Sequence, residues 1–148
     1  MRGAHGAYAI TRCGDVMAVQ AHGPWNAECI KQFAKDYRDE RVIFKGKRWA
    51  DIVSHIGESL FVPEAEAVLT GAITAVAQEG LCHVAVVIGR STARSLTKSQ
   101  LKKMYGKTEV DFAFFDTEAE AVVWLTENGY SIDHAKLEAH LLKSPVTP

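Results

Sequence analysis

The residues able to do chemistry are scattered along this chain. Asp51 and Asp116 fall at or near the carboxyl ends of two expected strands, the edge where open α/β sheets place their ligands, and two acids there could hold Mg²⁺. A receiver-type magnesium site would also need an acidic pair after the first strand and a lysine after the last, and neither is present, so a cap or turn role suits Asp116 better. Six histidines, His5, His22, His55, His83, His134 and His140, include no pair at the i, i+4 spacing that aims two imidazoles at one metal. Neither a metal nor a cofactor is therefore expected. Ser54, His55 and Ser59 are neighbours without a nucleophile motif; G-x-S-x-G is absent, and any Ser–His or Cys–His pair would have to meet through the fold. The turn Gly89-Arg90-Ser91-Thr92, with Arg94 beyond it, could cradle an anion, but it is neither a Walker loop nor a G-x-G-x-x-G fingerprint and reads first as a polar turn. Lys98, Lys102, Lys103 and Lys107 make a basic patch accompanied only by Tyr105, which suits a solvated helix face rather than a nucleic-acid platform.

The elements that must position these residues are easier to read. Ala7 to Arg12 and Val16 to Ala21 are β-compatible runs joined by Cys13-Gly14-Asp15, an antiparallel hairpin. Asn26 is placed to cap a helix whose Ile30, Phe33, Ala34 and Tyr37 share one face, with Trp25 and Ile30 at staple spacing. Val42-Ile43-Phe44 and Arg48 to Val53 carry strand-type residues interrupted by Gly46-Lys47, which predicts a strand around Trp49 to Val53. Pro63 opens a second helix with Ala65, Val68, Leu69, Ala72, Ile73 and Val76 inward and Gly80 as its stop. Cys82 to Gly89 is almost continuously apolar, the pattern of a strand covered on both faces, and is expected at the sheet centre. Thr97 and Gln100 have capping-box spacing for a third helix, with Leu96 and Leu101 as a staple; Thr117 and Glu120 repeat the box after the strand Val110 to Asp116. Ser131 is expected to cap a final helix over 131–143, with Ile132, Ala135, Ala139 and Leu142 on one side. Leu137 and Leu141 give that helix a second apolar side, which could cover a sheet edge or bridge two subunits as a homodimer.

This order predicts an α/β fold: a mostly parallel five-stranded sheet, an N-terminal antiparallel hairpin and four to five helices. One domain over 1–148 is expected, with its core at about 7–128 and a tail at 144–148; 47% apolar residues are enough for a core of that size. Seventeen basic against eighteen acidic residues give a formal charge of −1, which offers nucleic acid and membrane surfaces no electrostatic attraction. Cys13, Cys29 and Cys82 form no C-x-x-C pair, so free thiols and a cytoplasmic location are expected. No run approaches the ~18 apolar residues of a membrane span.

The segment Gly23-Pro24-Trp25-Asn26 before the first helix, the Trp49-x-Asp51 strand, the buried run His83 to Gly89 and Phe114 to Leu125 resemble the STAS superfamily, in particular its divergent SpoIIAA-like, or STAS/SEC14-like, group. The likeness spans about residues 7–128 and implies packing and capping features rather than a catalytic signature. In antagonist members of that superfamily, a serine in a D-S-S-G-type turn at the start of the second helix is phosphorylated. The corresponding turn here runs from Gly57 to Glu64 without that motif, and Ser59 is the nearest hydroxyl, with Ser54 earlier.

The resemblance implies first a non-enzymatic regulatory or protein-interaction module, with an unidentified protein partner at Ser54, His55, Glu58, Ser59 and Glu64. Its SEC14-like side implies a second reading, a carrier of a small apolar or lipid ligand lined by Trp49, Phe61 and Tyr105. An enzyme using Asp51, His55 and Asp116 is the third.

Overall fold

The computed structural model describes residues 7–44, 46–57, 60–89 and 94–143. Strands β1 (Ala7–Cys13) and β2 (Val16–His22) form the antiparallel hairpin, with Cys13 opposite Val16 and Gly14-Asp15 as a two-residue turn. Gly14 takes φ 72°, the left-handed region such turns require. Helix α1 (Ala27–Arg41) follows, then a single 3-10 turn (Val42–Phe44), β3 (Trp49–Ile56), α2 (Pro63–Glu79), β4 (Leu81–Ile88), α3 (Arg94–Tyr105), β5 (Asp111–Phe115), α4 (Glu118–Glu127) and α5 (His134–Leu141). The strands lie in the order β1-β2-β3-β4-β5, and every pairing after the hairpin is parallel. The predicted mixed α/β sheet is therefore present. β4 is an interior strand, but β3 occupies the middle.

Helices cover both faces. On one, β3 presents Trp49 to a core built with Ile30 and Tyr37 of α1, Leu69 and Ile73 of α2, and Leu101 and Met104 of α3. On the other, Ala50 and Ile52 meet Ala121 and Leu125 of α4 and Leu137 of α5. Period-two alternation on the buried middle strand thus divides its side chains between two layers.

Several boundaries differ from the sequence expectation. Val42-Ile43-Phe44 makes a helical turn instead of a strand, which lets Phe44 stack on Trp49 with ring centroids 5.2 Å apart. Thr97 is no cap: α3 already begins at Arg94, leaving Thr97 inside the helix and 1% exposed, while its staple partner Leu96 is exposed. Asp133, not Ser131, caps α5 by accepting from the Lys136 N–H at 3.1 Å. The buried face of α5 is Leu137 and His140 rather than the expected Ala135, Ala139 and Leu142: both alanines are exposed and Leu142 is 84% exposed. Asn26 and Thr117 cap α1 and α4 as their spacing predicts. The predicted tail at 144–148 lies outside the described residues.

Candidate functional site

Between α1, α2 and the sheet lies a cavity of about 390 Å³. Its floor comes from the side chains of β3 that share one face, Asp51, Val53 and His55, beside Val19 and Ala21 of β2. Its walls are largely apolar: Ile30 and Phe33 from α1, Leu69 and Ile73 from α2. Small residues, Ala34 on α1 and Ala72 and Ala75 on α2, also line it.

Two loops are zipped together at the end of the cavity nearest the carboxyl ends of β2 and β3. The Trp25 N–H donates to the Leu60 carbonyl at 2.8 Å and the Val62 N–H to the Trp25 carbonyl at 3.3 Å, making a one-residue parallel bridge between Trp25 and Phe61. Gln100 of α3 then holds the Phe61 backbone from both sides: its amide oxygen accepts from the Phe61 N–H at 3.1 Å and its NH₂ donates to the Phe61 carbonyl at 2.9 Å. The Phe61 ring stacks on Trp25 and receives the edge of His55, each at a centroid distance of 6.3 Å. Trp25, His55 and Phe61 all line the cavity. The Trp25 Nε1 and both ring nitrogens of His55 are buried with no hydrogen-bond partner among the described residues. Burial alone lowers the His55 pKa to about 4, so the ring is neutral near neutral pH.

The opposite end is built on a polar chain. Trp49 Nε1 donates to the Tyr37 hydroxyl at 2.9 Å, and that hydroxyl donates to Asp51 Oδ1 at 2.6 Å. Trp49 is held by the turn after α2, where its N–H donates to the Gly80 carbonyl at 3.0 Å. A Cβ at Gly80 would lie 3.0 Å from the indole and 2.7 Å from the Lys47 carbonyl oxygen, at a φ of 134°, so this approach needs glycine. Burial pushes the Asp51 carboxyl up to about 7, with Tyr37 and Trp49 pulling it the other way. No basic side chain pairs with Asp51 among the described residues. Arg38 and Arg41 of α1 and Glu79 of α2 border the cavity, and Arg41 pairs with Glu79 across the two helix ends.

The residues singled out from sequence therefore separate. Phe61 and Tyr105 line the cavity, whereas Trp49 does not: it is buried beneath, between Phe44 and the Tyr37 hydroxyl, and supports the wall from behind. His55 faces the cavity; its neighbour Ser54 points to the other face of β3, 5% exposed, with its hydroxyl donating to Glu118 Oε1 of α4 at 3.3 Å. Strand alternation makes these adjacent residues incapable of sharing one surface. Glu64 is exposed on the first turn of α2. Glu58 and Ser59 lie outside the described residues, as do Arg90, Ser91 and Thr92 of the anion-turn reading. Asp116 is exposed and paired with Arg94, away from the Asp51 and His55 cavity. Among the described residues, no group of three or more His, Cys, Asp or Glu side chains could hold a metal ion. Nor is any helix long and apolar enough to cross a membrane.

Sequence reasoning missed Trp25, Tyr37 and Gln100 as site residues. Trp25 and Tyr37 are legible as helix-packing residues, but no local signal says that their polar atoms border a cavity.

No protein-family model matches the sequence, and no curated protein does. A solved structure does: an uncharacterised protein of the DUF3478 family from Shewanella loihica PV-4, described as having a SpoIIAA-like fold, is 17% identical to this chain. The match covers 84% of this chain and 97% of that one, with a TM-score of 0.59. The sheet order, the N-terminal hairpin and this likeness together show a SpoIIAA-like fold.

Proposed function

We propose that this chain binds a small, largely apolar molecule in the cavity between α1, α2 and the sheet. The observation that carries the reading is the cavity itself, whose volume of about 390 Å³ is walled mainly by hydrocarbon. Protein interiors are close-packed and leave few voids larger than a water, and ligand sites commonly begin at roughly 300 Å³. The site opens to solvent at its rim, so its apolar lining meets water until an organic molecule displaces that water, and the displacement favours binding. The position agrees with the carrier reading drawn from the SEC14-like comparison.

The regulatory-module reading retains one supporting observation. Val62 is 44% exposed and Glu64 stands beside it, so the first turn of α2 offers an apolar and acidic face to a partner. Ser54 is a poor switch residue because its hydroxyl is buried and engaged. A ligand behind α2 and a partner in front of it are compatible.

Native mass spectrometry of protein taken gently from cells tests the binding reading. The expected result is a bound organic mass in the parent and its loss from Ala72→Phe, which places a ring in the cavity. Parent protein that is always empty, and stays empty when apolar compounds are added, sinks the reading.

A further inference from the structure

Tyr37 of α1, Asp51 of β3 and Tyr105 of α3 form a polar cluster in the otherwise apolar lining of the cavity. The Tyr37 hydroxyl donates to Asp51 Oδ1 at 2.6 Å. Burial first, and the Asp51 charge second, raise the Tyr105 hydroxyl, so Asp51 and Tyr105 lie close enough to interact. A carboxylate accepts along about four lone-pair directions, and the Trp49–Tyr37 chain fills only part of that capacity. Asp51 has no basic partner among the described residues, and a buried carboxylate without a counter-ion is costly. The Tyr105 hydroxyl has no hydrogen-bond partner among the described residues either, yet it is not sealed off as the His55 nitrogens are. Tyr105 is only 6% exposed, so the open space its hydroxyl touches is the cavity it lines.

We propose that the cavity takes a primary amine with an apolar body, its ammonium group seated between the Asp51 carboxylate and the Tyr105 hydroxyl. This inference rests on the small-molecule reading above. An ammonium has three donors and no acceptor, the complement of a carboxylate with unfilled lone pairs and a hydroxyl oxygen. It also supplies the counter-ion that Asp51 lacks. A hydroxyl head group can bond to the same atoms but leaves the charge uncompensated, and a carboxylate brings a second negative charge to the site. The other charged side chains bordering the cavity are Arg38, Arg41 and Glu79. Arg41 is paired with Glu79, and Arg38 is exposed to water and salt, which screen it. His55, on the same face of β3, is neutral near neutral pH, and burial keeps the Tyr37 and Tyr105 hydroxyls protonated.

Octylammonium, 1-octanol and octanoate share one apolar body and separate the head groups when titrated calorimetrically into the full chain across about one pH unit either side of neutrality. Asp51 titrates at about 7, whereas an alkylammonium, like a lysine side chain, keeps its proton to about pH 10. The ionised fraction of Asp51 therefore rises roughly tenfold over that range. Octylammonium is expected to bind about tenfold tighter at the upper pH than at the lower, 1-octanol to change less than about twofold, and octanoate to weaken. At neutral pH, binding of octylammonium should release about half a proton, read as a heat that varies with the ionisation enthalpy of the buffer. Asp51→Asn is expected to remove the pH dependence and to cost octylammonium about tenfold more than 1-octanol at the upper pH. Circular dichroism confirms the fold of the variant, and the pH dependence and proton release of the parent need no variant. Octylammonium that binds no tighter at the upper pH, or no better there than 1-octanol, overturns the head-group assignment and leaves the pocket standing. A pH dependence that survives in folded Asp51→Asn does the same. Should 1-octanol also fail to bind up to its solubility limit, the pocket reading falls and the amine with it.

Discussion

Asp51 and His55 stand four residues apart on one face of β3, and burial acts on them in opposite senses. The Asp51 carboxyl rises from 3.8 to about 7, so the folded state holds its proton more tightly than the unfolded chain does. The stability it contributes is present below about pH 4 and is lost as pH rises toward 7. His55 falls from 6.5 to about 4, so its contribution is full above 6.5 and is lost as pH drops through the same range. His140, on the buried face of α5, shifts in the same direction as His55. Between about pH 4 and 6.5 the two β3 residues therefore offset each other. Removing one exposes the other: Asp51→Asn is expected to make stability rise more steeply with pH than in the parent, by about 1.4 kcal/mol per unit. His55→Leu tilts the curve by the same amount in the opposite sense. Urea denaturation at several pH values in that window reads both slopes. Curves parallel to the parent would mean that neither group titrates as its burial requires.

Among the elements, α3 has the least local task and the most positional one. Its Gln100 is the bond between the helix and the Phe61 backbone, holding both the N–H and the carbonyl of a residue that walls the cavity. Gln100→Ala is expected to cost about 1–2 kcal/mol and to speed hydrogen exchange at the Phe61 amide, while exchange in the β3 and β4 ladder stays unchanged. Uniformly faster exchange would show that Gln100 serves the whole fold instead. The same residue marks the limit of what the sequence discloses. Thr97 and Gln100 have capping-box spacing, but the helix starts a turn earlier, and a glutamine's partner 39 residues away leaves no trace in local spacing. Asn26, Thr117, Pro63 and Gly80 were legible because caps, first-turn prolines and stops act within a few residues. Period two makes Trp49, Asp51 and Val53 co-facial from sequence, whereas His55 lies beyond the strand expected over Trp49 to Val53 and joins that face because β3 runs on to Ile56. That a cavity lies over them was not legible, because its walls come from α1, α2 and α3, whose approach to the sheet leaves no trace in local spacing.

For the molecule as a whole, the two faces of the sheet are finished differently. The α4 and α5 face is filled by Ala121, Leu125 and Leu137 against Ala50 and Ile52, whereas the α1 and α2 face keeps its cavity. Arg41 and Glu79, the last residues of α1 and α2, are tied across that face. The pair is partly exposed, with side-chain exposures of 21% and 41%, so its worth to stability is small, under about 1 kcal/mol. Its position matters more, because a ligand leaving between the helix ends must part them. Glu79→Gln keeps the size and removes the charge. It is expected to leave the denaturation midpoint nearly unmoved and to raise the association and dissociation rates of 1-octanol together, with Kd little changed. In both proteins, octanol at a hundredfold excess over Kd should add about 2.7 kcal/mol of stability, since only the folded chain has the cavity. Stopped-flow Trp fluorescence follows the rates. If exit is no faster in the variant while the ligand still stabilises the fold, passage does not run between the ends of α1 and α2, and the Trp25–Phe61 bridge becomes the place where the cavity must open.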